Sequence, residues 1–164
     1  MKEINIRDIK VSAAELINDG WGLVAAGDEE KFNAMTVSWG ALGEMWNKDA
    51  VFIFIRPNRY TYEFLEKGEL FTLSFYGEEY RKALTVCGRK SGRDTDKISE
   101  AGLTPVFTDG TVTFKEAKYT VVCKIIASQF IDPKGFKDES IDSNYNGTDY
   151  HKMYVGEILK VYEN

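Results

Sequence analysis

The sequence is poor in the residues that most often carry chemistry on their own. Of 164 residues, two are cysteine and one is histidine. Cys87 and Cys123 form no C-x-x-C pair and have no metal-type spacing with His151, so no metal site is expected. Both thiols read as small core residues. No run of 18 apolar residues is present, which leaves no candidate membrane span. The opening stretch MKEINIRDIKVSAAEL lacks the apolar segment of a secretion signal, so a cytoplasmic protein is expected. Basic residues are outnumbered, 21 Lys and Arg against 26 Asp and Glu, which argues against a general nucleic-acid binder. No G-x-G-x-x-G opens a helix and no P-loop pattern occurs, which excludes the common nucleotide folds those motifs mark. No repeat or low-complexity linker divides the chain, and residues 1–164 read as one domain.

Apolar material, in contrast, is plentiful. Hydrophobic residues make up 43% and aromatics 13% of the chain, enough to offset chain entropy with a real core. A chain of this length buries ~70% of the surface its unfolded form exposes. The aromatic content fits a β-rich core or a stacking site for a flat ligand. The charge is uneven as well. From Tyr80 to Arg93 there are five basic residues and no acidic one. A local positive patch on an acidic chain suits a small anion better than a polymer.

Along the chain, Ser12–Asn18 reads as a short helix, Trp21–Ala26 as a strand and Gly27–Glu30 as a turn. Ala34–Gly40 reads as the next strand, and the apolar run Ala50–Ile55 as a strand buried on both faces. Tyr60–Gly68 is helical with Gly68 as its C-cap, Leu70–Phe75 alternates as a strand, and Glu78–Cys87 is an amphipathic helix. Asp94 is placed to cap a third helix ending at Ala101–Gly102. Thr111–Phe114, Tyr119–Phe130 and Met153–Tyr162 carry strand propensity. Asp132–Tyr150 is a long polar loop, as in a lid, an interface arm or a flap. This order of strands with short inserted helices points to a mainly β protein, a closed or partly split antiparallel barrel.

Three segments stand out chemically. In NAMTVSWG, a strand would put Thr36, Ser38 and Gly40 on one face. Small residues there admit a planar ring, and hydroxyls and peptide N–H groups meet its polar edge; the segment reads equally as an ordinary half-exposed strand. In RPNRYTYEFLE, Arg56 ends a strand, Pro57 breaks it, and Arg59, Tyr60 and Thr61 enter a helix. Forked donors, a hydroxyl and a helix N-terminus are the ingredients of a phosphate site, or else a capped helix with two solvated arginines. In GRKSGRDTDK, Ser91, Arg93 and Lys97 lie near a helix start, as an anion site or a solvated basic loop. His151 has no triad or metal partner in sequence. It reads as a packing residue or as a donor at a site edge.

Together, NAMTVSWG, RPNRYTYEFLE, FTLSF, SGRDTDKISEAGLT and HKMYVGEI resemble, in order and spacing, the flavin reductase-like family of FMN-binding split β-barrel proteins, and within it the flavoredoxin-like branch. The likeness spans roughly Trp21 to Val161. It implies a Greek-key split barrel, a homodimer, and FMN near the subunit interface. By position it assigns Asn33, Met35, Thr36, Val37 and Ser38 to the flavin ring. Arg56, Arg59, Tyr60 and Thr61 fall to the phosphate and ribityl chain, and Ser91, Arg93 and Lys97 to the phosphate end. Trp39 and Trp46 would flank the ring or the dimer contact, and His151 would stand on the substrate side as the catalytic candidate. The activity implied is transfer of a hydride from NAD(P)H to bound FMN and on to an acceptor. An electron carrier without NAD(P)H activity and a non-flavin dimeric module of the same fold are the alternatives. The Asp132–Tyr150 loop matches no family pattern.

Overall fold

The computed structural model describes residues 1–164. Ten strands form: β1 (Lys2–Ile4), β2 (Gly22–Gly27), β3 (Phe32–Val37), β4 (Gly40–Met45), β5 (Lys48–Ile55), β6 (Leu70–Phe75), β7 (Pro105–Thr108), β8 (Thr111–Phe114), β9 (Tyr119–Phe130) and β10 (Lys152–Glu163). Three α-helices are inserted, α1 (Tyr60–Lys67), α2 (Arg81–Arg89) and the single turn α3 (Lys97–Glu100), and the helix expected at Ser12–Asn18 is a π-helical turn over Glu15–Asp19. The main sheet runs β3-β2-β6-β9-β10-β5-β4, with β1 added to the end of β10; β7 and β8 form a separate hairpin. Each pairing is antiparallel. No helix is long and apolar enough to cross a membrane.

Although β3 and β4 are opposite edges of the sheet, only Ser38 and Trp39 separate them in sequence. An extended chain reaches at most ~3.5 Å per residue, so the end of β3 and the start of β4 lie close together and the sheet is rolled into a barrel. It is nonetheless split there, because β4 bonds to β5 and not to β3. Register shifts in β10 at Val155/Gly156 and Ile158/Lys160 add the local twist that rolling requires. Gly156 also has to be small. A Cβ there would lie 2.6 Å from the Phe71 ring and 2.9 Å from Cys123 Cβ.

Strand alternation divides the apolar residues between two cores. Val24, Ala26, Met35, Val37, Val51, Ile53, Ile55, Phe71, Leu73, Val121, Cys123 and Tyr154 fill the barrel. On the outside of β2 and β3, Leu23, Ala25 and Ala34 pack against Ala83, Leu84 and Cys87 of α2, Ile98 of α3, and Val112 and Phe114 of β8.

Several expectations need correction. The strand expected over Ala34–Gly40 stops at Val37, so Ser38 and Gly40 do not share a strand face with Thr36. Thr36 instead faces α2, where its hydroxyl donates to Leu84 O at 2.5 Å. Ala50–Ile55 is not buried on both faces. Val51, Ile53 and Ile55 point inward, whereas Phe52 and Phe54 are only partly covered on the outside. Asp94 caps nothing, because the Asp94 and Thr95 N–H groups are drawn into a turn onto Ser91 O. The helix therefore starts two residues later, with Asp96 accepting from Ser99 N. The Asp132–Tyr150 loop contains two 3-10 turns, Pro133–Gly135 and Glu139–Asn144.

Candidate functional site

The seam of the split barrel opens into a cleft with two ends. One end, a cavity of about 330 Å³, is lined by Met35, Thr36, Val37, Ser38 and Trp39 on one wall and by Phe54, Arg56, Asn58, Arg59 and His151 on the other. The second, of about 290 Å³, shares Met35, Asn58 and Arg59 and continues past Tyr60, Thr61, Cys87, Lys90, Ser91 and Lys97. Four cations line the two ends and no carboxylate does, on a chain whose net charge is -5. Because β3 is an edge strand bonded only to β2, the peptide groups along its outer edge are free to meet a ligand.

The second end is built around the C-terminus of α2 and the N-terminus of α1. Arg59 donates to Gly88 O at 2.6 Å, and Lys97 Nζ donates to Cys87 O and Lys90 O, both at 3.1 Å. The α2 carbonyls, at the negative end of its dipole, thus hold two cations in place. No side chain caps α1, whose N-cap is the extended Arg59; Tyr62 N donates to Arg59 O, and the Tyr60 and Thr61 N–H groups remain available to an anion. Thr61 is fully buried. Its hydroxyl accepts from the Asn33 amide at 2.7 Å and keeps its own proton to donate. Burial pushes the Lys97 ammonium down to about 8, with Cys87 opposing and Arg59 reinforcing the shift. Burial likewise lifts the Cys87 thiol to about 11, against the pull of Lys97, so it stays protonated and is no nucleophile.

The first end mixes apolar and polar side chains. Met35, Val37, Trp39 and Phe54 supply its apolar surface, the last two as planar rings. The His151 ring packs against Trp39 with centroids 4.9 Å apart, and its Nδ1 lies 2.9 Å from the Tyr145 hydroxyl. Burial, and next the Arg56 charge, pushes the imidazole down to about 4. Arg56 itself donates to Asn144 O at 2.6 Å and lies over the Tyr145 ring. The Asp132–Tyr150 loop therefore backs two of the lining residues, Arg56 and His151. It is pinned at its base by Ile131 N donating to His151 O. Just beyond His151, Lys152 Nζ and the Tyr154 hydroxyl both bond Glu66 of α1, at 2.7 and 2.6 Å.

The sequence model of the family described as "Flavin reductase like domain" matches residues 15–164. This chain belongs to the flavin reductase-like family. No curated protein matches it. Among solved structures, it is similar to the FMN-binding domain of a flavin reductases-like enzyme from Shewanella baltica OS155 (TM-score 0.71, 16% identity, 99% of this chain and 76% of that one). It is also similar to flavoredoxin from Methanosarcina acetivorans (0.69, 20%, 88% and 68%). A third is the Streptomyces globisporus C-1027 NADH:FAD oxidoreductase, solved with NAD and FAD fragments (0.64, 17%, 88% and 74%). At these identities the three likenesses speak to the fold, which is the split barrel expected from the sequence.

In this flavin reductase-like chain, Met35, Thr36, Val37, Ser38, Arg56, Arg59, Tyr60, Thr61, Ser91, Lys97 and His151 all line the cleft. Two other flagged residues do not. Asn33 sits behind the cleft and braces Thr61. Arg93 turns outward, stacked on Tyr60 and bonded to Glu63 at 2.5 Å. Arg56 lines the end with Trp39 and His151, away from Lys97, because its β5 terminus lies across the seam from β3. Asn58, Phe54, Lys90 and Cys87 line the cleft without having been singled out as ligands. Asn58 lay inside the flagged RPNRY segment, but a turn amide carries no pattern of its own. The Tyr145–His151 contact comes from a loop without periodicity, so no sequence signal pointed to it.

Proposed function

We propose that this flavin reductase-like chain, acting as one unit, binds FMN along the cleft and serves as an NAD(P)H-dependent oxidoreductase. The observation that carries the reading is the make-up of the cleft: an end that sets Met35, Val37, Trp39 and Phe54 beside the unpaired edge of β3 runs into an end at a helix N-terminus whose charged residues, Arg59, Lys90 and Lys97, are all cationic. The residues present fit that cofactor. Arg59, Lys97, the Thr61 hydroxyl and the first N–H groups of α1 would hold the phosphate, and Met35–Ser38 would lie along the ring, with Trp39 and Phe54 beside it. Bound FMN supplies a redox centre that takes reducing equivalents from a nicotinamide and passes them to an acceptor. The protein's part is to fix the tail, present peptide donors to the ring edge, and leave one ring face open beneath His151 and Trp39. Cys87 and Cys123, both buried and unpaired, suit a reducing compartment such as the cytoplasm.

A second copy of the chain would complete the site. Trp39 lines the cleft yet is 45% exposed, and Trp46 is 57% exposed. Trp46 also holds a left-handed φ of 55° at the β4–β5 hairpin tip, a conformation that is unfavourable for a bulky residue. Exposed aromatic surface at the cleft (Trp39) and at the far end of β4 (Trp46) suits a homodimer interface.

The test is a visible spectrum of the protein with added FMN, followed by anaerobic addition of NADH or NADPH. Tight FMN uptake and bleaching of its absorbance are expected. A protein that takes up no FMN overturns the cofactor reading. FMN uptake without bleaching by either nicotinamide supports the second reading, an electron carrier, which the likeness in fold to a flavoredoxin favours.

A further inference from the structure

Building on the proposed flavin site, we infer that Tyr145 is a positioning residue: its hydroxyl donates to His151 Nδ1 and fixes the imidazole as the neutral tautomer that carries its hydrogen on Nε2. The contact is built rather than incidental. Tyr145 is 4% exposed and follows the second 3-10 turn of the loop, its N–H donating to Asp142 O at 2.9 Å. Its ring is held between Tyr150, Phe136 and the Arg56 guanidinium. The hydroxyl therefore has one place to go, His151 Nδ1 at 2.9 Å.

The direction of that hydrogen bond follows from the surroundings. Burial raises the Tyr145 phenol, with Arg56 opposing, so the hydroxyl keeps its proton. The charged groups facing the imidazole are Arg56 from the end of β5, Arg59 from the start of α1, and Asp149 from the loop. Asp149 accepts from Asn58 N at 3.2 Å and lies 3.9 Å from Arg56, which partly absorbs its charge. Two cations and burial thus outweigh one occupied carboxylate, and the ring stays neutral at ordinary pH. A neutral ring has one donor and one acceptor nitrogen. With Nδ1 taken as the acceptor, Nε2–H is the donor, and it has no hydrogen-bond partner within the chain, on a residue that lines the cleft.

The chemical consequence is specific. His151 offers a fixed N–H to a carbonyl or amide oxygen of whatever molecule lies on the open face, and it does not act as a proton source near neutrality. The class of second substrate it recognises is a planar molecule bearing an oxygen acceptor.

Because His151 is the only histidine, imidazole ¹⁵N labelling of the whole protein gives a single ring to observe, with or without FMN. The wild type is expected to show protonated Nε2 and bare Nδ1 at pH 7. In Tyr145→Phe, which keeps the ring and its packing, a mixture of tautomers is expected. Loss of a donor to the neutral ring should also raise its titration midpoint by about one unit, tenfold in proton affinity. A wild-type ring protonated on Nδ1 overturns the inference, whether or not the variant folds. So does a Tyr145→Phe ring locked in the wild-type tautomer. FMN uptake by the same samples, read from absorbance, judges the flavin reading separately.

Discussion

Lys97 is a charge kept in an unfavourable place for the sake of a site. Its folded pKa of about 8 lies below the ordinary lysine value of 10.5. Between those values the folded chain holds fewer protons than the unfolded one, so stability rises with pH across that window and the burial penalty is felt below pH 8. A phosphate beside Nζ favours the ammonium, so binding above pH 8 must draw in a proton. FMN affinity, measured by fluorescence quenching, is therefore expected to fall as pH rises above 8, by up to about tenfold per unit. Lys97→Arg, which does not titrate there, should flatten the profile. At the same end, Arg59→Ala with Thr61→Ala removes two contacts, one charge-assisted. Together they should raise the FMN dissociation constant about a hundredfold, on the order of 3 kcal/mol; an unchanged constant would remove these residues from the phosphate site. Residues of this kind were legible in the sequence because Arg, Thr and Lys beside a helix start carry their chemistry in their type. Asn33, Arg93 and Arg56 show the limit: type gave a capacity to bind anions, and the direction in which each side chain points was settled by tertiary packing.

For the elements, legibility followed burial. Leu70–Phe75 and Tyr119–Phe130 match β6 and β9 residue for residue; β6 and the first five residues of β9 are covered at the centre of the sheet and must carry apolar residues or bonded hydroxyls, and the rest of β9 continues the strand through β-branched and aromatic residues. The strands β1, β4 and β7 were not anticipated. β4 reads GALGEM, pairs on one side only, and has no fully buried residue, so nothing forces a hydrophobic alternation on it. Missing it also hid the crossing at Ser38–Trp39, and with it the fact that the cleft is a seam. The bulged strand β10 makes a stability prediction. Gly156→Ala places a methyl group against Phe71 and Cys123, an overpacking expected to cost about 1–3 kcal/mol. Urea unfolding should show a lowered midpoint with an unchanged m-value.

On the scale of the molecule, the split barrel could be anticipated from strand order and family resemblance, while its open seam depends on which edges fail to bond. The exposed aromatics at the two ends of β4, Trp39 and Trp46, carry the assembly prediction. Light scattering is expected to give twice the chain mass for the wild type. Trp46→Glu should shift the protein toward monomer and weaken FMN binding with it. A monomeric wild type with a complete FMN site would refute the shared-cleft arrangement. One further consequence belongs to the whole. Helix α1 is eight residues long, a stiff rod of about 12 Å. Thr61 stands at one end of it, and Glu66 near the other clasps the residues following His151. The two jaws of the cleft are therefore mounted on a single caliper of fixed span, which should select its guest by the length of the arm between head and tail as well as by the chemistry of either.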